Sequence, residues 1–325
     1  MTISFQPNPW LLNPNLQTIW PNYLRNKTRV SFNTRKITLP DGDFLELCIS
    51  NGMPNNDSSR GVVFILHGLG GSIESHYSRS LMRAMQLNNL ESVFIHFRGA
   101  SGKPNKKPFS YHAGKADDIA FIIDQIIQEK PDKKYFAIGV SIGGSILVNY
   151  LGNYQRNNPL TSAVVISVPY DLYETAIYLD NGFAKNYQRY MMKTLKYDLQ
   201  VKFEYRECPI DLKKALNAKN LYDFDDAATA PLNNFDTVMD YYKICSAKQY
   251  LKNIQTSTLL IHARDDPFTP LKSIPTEDEL SNFVKLELYE KGGHVGFIEG
   301  NNFWKPTYFL DRRIPAYFSS FILKK

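Results

Sequence analysis

Residues 135–147 read YFAIGVSIGGSIL. Tyr135 to Val140 form a short apolar run without polar alternation, the pattern of a strand buried on both faces of a parallel sheet. From Ile142 onward the apolar residues continue as a helix. Gly-Val-Ser-Ile-Gly stands at the join, with nothing left over for a loop. A corner this sharp forces strand and helix together, and Gly139 and Gly143 lack the Cβ atoms that would collide there. Its result is to thrust the Ser141 hydroxyl into the open. In an open parallel sheet, ligands bind beyond the carboxyl ends of the strands. Ser141 stands at such an end, and the helix it opens presents free N–H groups to developing negative charge.

Outward from this corner the chain alternates strand and helix. Upstream lie the apolar strands GVVFILHG (61–68) and SVFIHF (92–97), and downstream lies SAVVISV (162–168). Between them come the helical stretches SRSLMRAMQLNN (78–89) and KADDIAFIIDQIIQE (115–129). This alternation predicts an α/β fold with a mostly parallel, doubly wound sheet. TRVSFNTRKITLP (28–40) and FLELCIS (44–50) flank the turn Pro40-Asp41-Gly42-Asp43 and read as a hairpin or a pair of half-buried strands. Residues 1–27 are rich in Pro and Asn and read as irregular.

From Tyr170 to Ile254 no buried strand is legible, and the segment reads as helical at 174–196 and 233–251. The strand pattern resumes with TSTLLIHARDD (256–266) and KLELYEKGGH (285–294), and the chain closes with the amphipathic RRIPAYFSSFIL (312–323). The expected organisation is a core of residues 1–169 and 255–325, interrupted by a helical cap (lid) insertion at 170–254.

With 43% apolar and 22% charged residues, the 325-residue chain has ample material for a core. The net charge of +6 is spread over scattered lysines and short pairs, with no basic stripe to bind nucleic acid. Cys48, Cys208 and Cys245 have no paired spacing, which points to a reducing compartment and neither a metal site nor a disulfide framework. The N-terminus lacks the apolar run of a signal peptide. No stretch approaches the roughly 18 consecutive apolar residues of a membrane span. The expectation is a cytoplasmic protein without an integral membrane segment. There is no dinucleotide fingerprint, so no cofactor is expected.

A serine hydroxyl is a weak nucleophile near neutral pH and needs a base, which in turn needs an orienting acid. In folds built around a G-x-S-x-G corner the order along the chain is Ser, then Asp or Glu, then His, each following a strand. After TLLIHA comes Arg264-Asp265-Asp266-Pro267. Asp266 is the preferred acid; Asp265 is the alternative, or else a turn former that accepts hydrogen bonds. Six histidines compete as the base. His67, His96 and His262 lie in or at the ends of strands, and His76 and His112 lie in loops. His294 follows the last strand behind Gly292 and Gly293, in a loop able to carry an imidazole over the serine. An oxyanion hole needs two backbone N–H groups. Ile142, next to the nucleophile, supplies one, and Leu69 in His67-Gly68-Leu69-Gly70-Gly71 supplies the other.

The chain resembles the α/β-hydrolase superfamily, and more closely its YheT-like (AB hydrolase 4) branch, related to the eukaryotic ABHD1/2/3 proteins and the yeast ethanol acyltransferase/esterases. The resemblance spans nearly the whole chain. It rests on NPNLQTIWP, HGLGGS, FRGASGKPNKKPFSYHAGKADD, GVSIGG, NFDTVMDYYKICSAKQYLKNI, ARDDPFTP and GGHVGF. It implies Ser141, Asp266 and His294 as the triad of a serine hydrolase cleaving carboxylic esters of short- to medium-chain or acylglycerol type. An acyltransferase with the same triad, and a catalytically inactive binding module, are the alternatives. The expected partner is a small-molecule ester with an apolar acyl chain. The tyrosines of the insertion, among them Tyr170, Tyr173, Tyr178, Tyr187, Tyr190, Tyr197, Tyr205, Tyr241 and Tyr242, are expected to form its small core or to line an acyl pocket.

Overall fold

The structure, a computed structural model, describes residues 4–25, 28–50 and 59–322. Its strands are β1 (Asn33–Thr38), β2 (Phe44–Ser50), β3 (Val62–Leu66), β4 (Glu91–His96), β5 (Tyr135–Val140), β6 (Ser162–Ile166), β7 (Ser257–Ala263) and β8 (Val284–Tyr289), followed by the short pair β9 (Ile298–Glu299) and β10 (Thr307–Tyr308). The first eight form one sheet in the order β1-β2-β4-β3-β5-β6-β7-β8. β2 runs antiparallel to both β1 and β4, and every later pairing is parallel. The mostly parallel α/β sheet read from the sequence is therefore present.

The continuous apolar runs have a simple cause. On β3, Val62, Phe64 and Leu66 belong to one core cluster and Val63 and Ile65 to another. On β5, Tyr135 and Ala137 face the first while Phe136, Ile138 and Val140 face the second. Successive side chains point to opposite faces, and both faces are covered. Helices α4 (Ala116–Glu129) and α5 (Ile142–Tyr154) supply the first cluster with Ile119, Ile122, Ile146 and Leu147. Helices α3 (Ser78–Leu87) and α12 (Phe309–Ile322) supply the second with Leu81, Met85, Ile314 and Phe318. Truncating a residue such as Phe64, fully buried between them, to alanine costs about 3–5 kcal/mol.

Between β6 and β7 the chain forms helices: α6 (Leu172–Leu179), α7 (Ala184–Phe203), α8 (Leu212–Asn217), α9 (Leu221–Phe224), a π-helical turn at 225–229, α10 (Ala230–Leu232) and α11 (Val238–Cys245). They share a separate cluster built on Leu179, Met192, Leu199, Phe224 and Tyr241. The sequence pattern at 174–196 reads as one helix, but the chain breaks it at Gly182, which adopts φ +53°.

The reading of residues 1–27 as irregular is corrected. They contain two short helices, α1 (Pro14–Ile19) and α2 (Pro21–Leu24). The Asn13 side chain caps α1 by accepting from the N–H groups of Asn15 and Leu16, and Pro14 occupies its first turn. At six residues α1 is too short to show a period, which is why apolar patterning misses it.

Candidate active site

Ser141 adopts φ 53° and ψ −121°, a conformation a side chain tolerates only under constraint. The constraint comes from close backbone packing. A Cβ on Gly139 would stand 2.7 Å from the Gly143 carbonyl oxygen and the Gly144 Cα. One on Gly143 would collide with the carbonyls of Leu66 and His67 at the end of β3. The glycines thus clear the approach of α5 to both β5 and β3, one contact more than the corner alone demands. Ser141 N–H donates to the Ile166 carbonyl at 2.9 Å, which ties the corner to β6.

His294 Nε2 lies 3.1 Å from Ser141 Oγ. His294 Nδ1 lies 2.9 and 3.1 Å from the two Asp266 carboxylate oxygens. Asp266 is buried and also accepts the Phe268 N–H at 2.8 Å. Phe268 lies flat on the His294 ring, with centroids 3.9 Å apart and planes 1° from parallel. Asp265 does not meet the imidazole. Its carboxylate accepts the Gly293 N–H at 3.0 Å and so shapes the turn that delivers His294. Of the two acids, the structure brings Asp266 to the histidine.

The other histidines are engaged elsewhere. His67 Nε2 accepts the Phe97 N–H at 3.1 Å while Nδ1 meets the Gly68 carbonyl, and burial pushes its pKa down to about 3. His96 Nε2 accepts the Ile73 N–H. His112 Nδ1 accepts the Gly114 N–H, and burial holds it at about 3. His76 packs edge-on against Tyr77. His262 approaches Asp266 only to 3.8 Å and is kept neutral by burial, with a pKa of about 4.

The glycine-rich loop after β3 is fixed by two tyrosine hydroxyls. Tyr77 accepts from Gly68 N–H and Tyr111 from Gly70 N–H, each at 2.8 Å. Among the described residues, neither the Leu69 N–H between them nor the Ile142 N–H has a protein acceptor. Leu69 and Ile142 border the same cavity as Ser141 and His294.

That cavity is about 230 Å³, and most of its wall comes from the helical segment between β6 and β7. Leu172, Leu179, Met191, Leu195, Leu221 and Phe224 are prominent in it. The tyrosine expectation needs correction. Tyr173, Tyr178, Tyr190, Tyr197 and Tyr205 are exposed, and Tyr170 belongs to the core of the main sheet. Of the nine named, Tyr197, Tyr241 and Tyr242 border the cavity. Tyrosine carries a polar tip and is content at a surface, so its abundance does not locate a pocket. The cavity also has a polar corner at Asp225, whose carboxylate accepts from Thr229 and Tyr242 hydroxyls at 2.6 and 2.9 Å. Burial pushes the Asp225 carboxyl up to about 6.

Sequence reasoning missed the supports of the histidine loop. Val295 and Phe297 adopt φ of 63° and 44°, conformations that branched and bulky residues rarely enter. The loop is held from the far end of the chain. His294 N–H donates to Thr18 Oγ1 at 2.9 Å. Buried Gln17 accepts from Ile298 N–H at 2.7 Å and donates to the Leu11 carbonyl at 2.9 Å. The backbone of α1 passes so close to Gly293 and Gly296 that a Cβ on either would strike it. In the long motif at 97–118, Arg98 is buried, with Asp118 on two of its nitrogens at 2.6 and 2.7 Å and Asp41 and Asp43 on the third at 2.7 and 2.9 Å, while Gly102, Pro104, Tyr111 and His112 border the cavity.

Residues 61–301 match the family model described as the alpha/beta hydrolase fold. YheT of Escherichia coli (strain K12), provisionally named an esterase, is 33% identical over 99% of this chain and 94% of its own. Mouse phospholipase ABHD3 is 27% identical over 92% of this chain and 74% of its own. Among solved structures, the Pyrococcus furiosus esterase Pf2001 superposes with a TM-score of 0.59 at 15% identity, covering 91% of each chain, a likeness of fold.

Proposed function

This chain belongs to the α/β-hydrolase family and is a carboxylic ester hydrolase, and we propose that it works through an acyl-enzyme on Ser141. The observation that carries the proposal is the hydrogen-bonded line Ser141–His294–Asp266. As Ser141 Oγ attacks the ester carbonyl carbon, His294 Nε2 takes its proton. The carbonyl electron pair moves onto oxygen, where the Leu69 and Ile142 N–H groups receive the negative charge. Asp266 holds the imidazole with Nε2 toward serine and steadies the imidazolium. When the tetrahedral intermediate collapses, the C–O bond to the alcohol breaks and His294 protonates the departing oxygen. Water then repeats the sequence on the acyl-serine, losing its proton to His294 and releasing the acid. Phe268, flat on the imidazole, restrains the ring plane through both halves.

The helical segment at 170–254 is proposed as a cap, and its apolar share of the cavity as the acyl pocket, since ligand sites are mostly apolar with few polar groups. Acyl transfer to an alcohol would use the same atoms with the alcohol in place of water, and product analysis with ethanol present separates the two.

A fluorophosphonate probe tests the assignment. The wild-type protein is expected to label at one serine, and Ser141→Ala is expected to lose labelling and several orders of magnitude of turnover while remaining folded. Labelling and activity that survive in Ser141→Ala would sink it.

A further inference from the structure

Asp225 sets a carboxylate among apolar residues of the cavity wall. Leu221, Phe224, Ala228 and Leu232 border the cavity from the stretch that runs from α9 to α10, and Asp225 and Thr229 border it from the same stretch. The chain is a π-helical turn there: the Ala230 N–H reaches back five residues to the Asp225 carbonyl. Pro231 follows and has no N–H to give the Ala227 carbonyl, so the ordinary helical ladder is broken at that point. Turns of this kind are rare and gather at functional sites.

A purely structural role does not account for the charge. Asp225 accepts from the Thr229 and Tyr242 hydroxyls at 2.6 and 2.9 Å. Two neutral donors are served equally well by an asparagine oxygen, without the cost of holding a charge away from water. A carboxylate offers about four acceptor positions, and these two bonds take only part of them. Asp225 also keeps some accessible surface, and the space it borders is the cavity. At neutral pH, above its pKa of about 6, it is ionised and acts only as an acceptor. From α6, Thr175 borders the same cavity; it is buried, and its hydroxyl has no hydrogen-bond partner among the described residues. α6 lies beside this corner, with the Tyr173 ring 6.4 Å from that of Tyr242. Spare acceptor capacity and a spare hydroxyl suit a ligand hydroxyl, which donates to a carboxylate and accepts from a threonine. An ammonium suits the corner less, because it loses more hydration on entry and Arg98 and Lys202 border the same cavity.

We propose that Asp225 is a specificity-determining residue that accepts a hydrogen bond from a hydroxyl on the acyl chain, so that the favoured substrates are esters of hydroxylated acids. This rests on the reading of Ser141 as the acylated nucleophile and of the apolar wall as the acyl pocket, within which Asp225 stands.

The test measures kcat/KM on p-nitrophenyl esters of short- to medium-chain ω-hydroxy acids, each against the plain ester in which a methyl group replaces the hydroxyl. At the length that reaches Asp225, the hydroxylated ester is expected to lead its plain counterpart by about tenfold; at other lengths the hydroxyl finds no partner and the plain ester leads. Asp225→Leu is expected to reverse the preference at that length. Asp225→Asn keeps the shape and is expected to reduce it several-fold, since a neutral acceptor bonds more weakly. The readout is a ratio of two esters within one protein, so a partly folded variant still reports, and the wild-type ratio decides if neither variant folds. Plain esters leading at every length, or a preference that both variants retain in full, overturns the proposal and leaves ester hydrolysis at Ser141 in place. So does a preference confined to hydroxyls in the alcohol, with monoacylglycerols favoured over ethyl esters of the same acid. No turnover of any ester together with no fluorophosphonate labelling at Ser141 would instead refute the reading on which the proposal rests.

Discussion

Thr18→Val tests whether the N-terminal segment positions the histidine. Thr18 is buried, accepts the His294 N–H at 2.9 Å and donates to the Pro14 carbonyl at 2.7 Å. Valine keeps the shape and removes both bonds, leaving the N–H of His294 orphaned in a buried place. A buried polar group left unpaired costs about 1–3 kcal/mol. The Pro14 carbonyl keeps its place on α1 and loses less, so about 2 kcal/mol in total is expected. At an unfolding entropy of about 2 cal/mol/K per residue, a chain this long loses roughly 1.5 °C in Tm for each kcal/mol, hence about 3 °C. The kinetic effect is larger than the thermal one. The loop already holds Val295 and Phe297 in unfavourable conformations, so slack at its anchor moves the imidazole away from Ser141. Since a 1 Å misplacement costs about a hundredfold, a shift of a few tenths of an ångström is expected to lower kcat about tenfold. Thr18 does not border the cavity, so KM should hold, and Thr18→Ser, which restores the hydroxyl, should recover most of kcat. Steady-state kinetics on a soluble ester beside a melting curve decides it. Wild-type kcat in Thr18→Val, or a deficit that serine fails to rescue, would refute the reasoning.

Asp266→Asn is expected to reduce kcat by about 10⁴-fold by leaving His294 in the wrong tautomer, whereas Asp265→Asn loosens only the Gly293 turn and costs far less; the reverse ranking in the same assay would transfer the orienting role to Asp265. On a series of p-nitrophenyl esters, kcat/KM is expected to rise from acetate to a medium-chain optimum and then fall, because each methylene buried is worth about 0.8 kcal/mol until the cavity is full; a flat profile would deny the cavity an acyl-binding role. Asp225 predicts a pH effect. Its folded pKa of about 6 lies above the ordinary aspartate value of 3.8, so between those values the unfolded chain has already released a proton that the folded one retains. Stability is therefore expected to fall as pH rises from about 4 to about 6, by on the order of 3 kcal/mol. Denaturant titrations should show that fall weakened in Asp225→Asn, and an identical pH profile in both proteins would contradict it.

The parts legible in the sequence are those whose physics is local or periodic. A strand buried on two faces must be apolar throughout, so β3 and β5 declare themselves. A hydroxyl on a sharp corner requires glycines at fixed offsets, so Gly139 and Gly143 mark Ser141. The sequence favours Asp266 as the acid but leaves Asp265 as an alternative, because both follow the same strand and composition is blind to which way each points. Position decides: Asp265 meets the Gly293 backbone and Asp266 the imidazole. The role of the brace is not legible for the opposite reason. Its bond from His294 to Thr18 spans 276 residues and uses a hydroxyl, a buried glutamine amide and backbone carbonyls, none of which leaves a period. Its local traces are Asn13-Pro14, a helix cap with almost no helix behind it, and the string NPNLQTIWP, which carries Gln17 and Thr18 but does not say what they hold.

Strain explains why such a brace exists. Ser141, Ser167, Val295 and Phe297 all hold positive φ, and all lie at the carboxyl edge of the sheet or in the loop that folds over it. Each such residue costs about 1–3 kcal/mol and persists only where its surroundings over-determine it. Ser141 is over-determined by close backbone packing, α5 pressed onto β3 and β5. The histidine loop has no such packing of its own, because it follows β8, an edge strand whose residues after Val284 are half-buried or exposed. Its rigidity has to be imported. Ser167 supplies part of it by accepting the Val295 N–H at 3.1 Å, and α1 supplies the rest. The first helix of the chain thus acts as the second wall of its last loop.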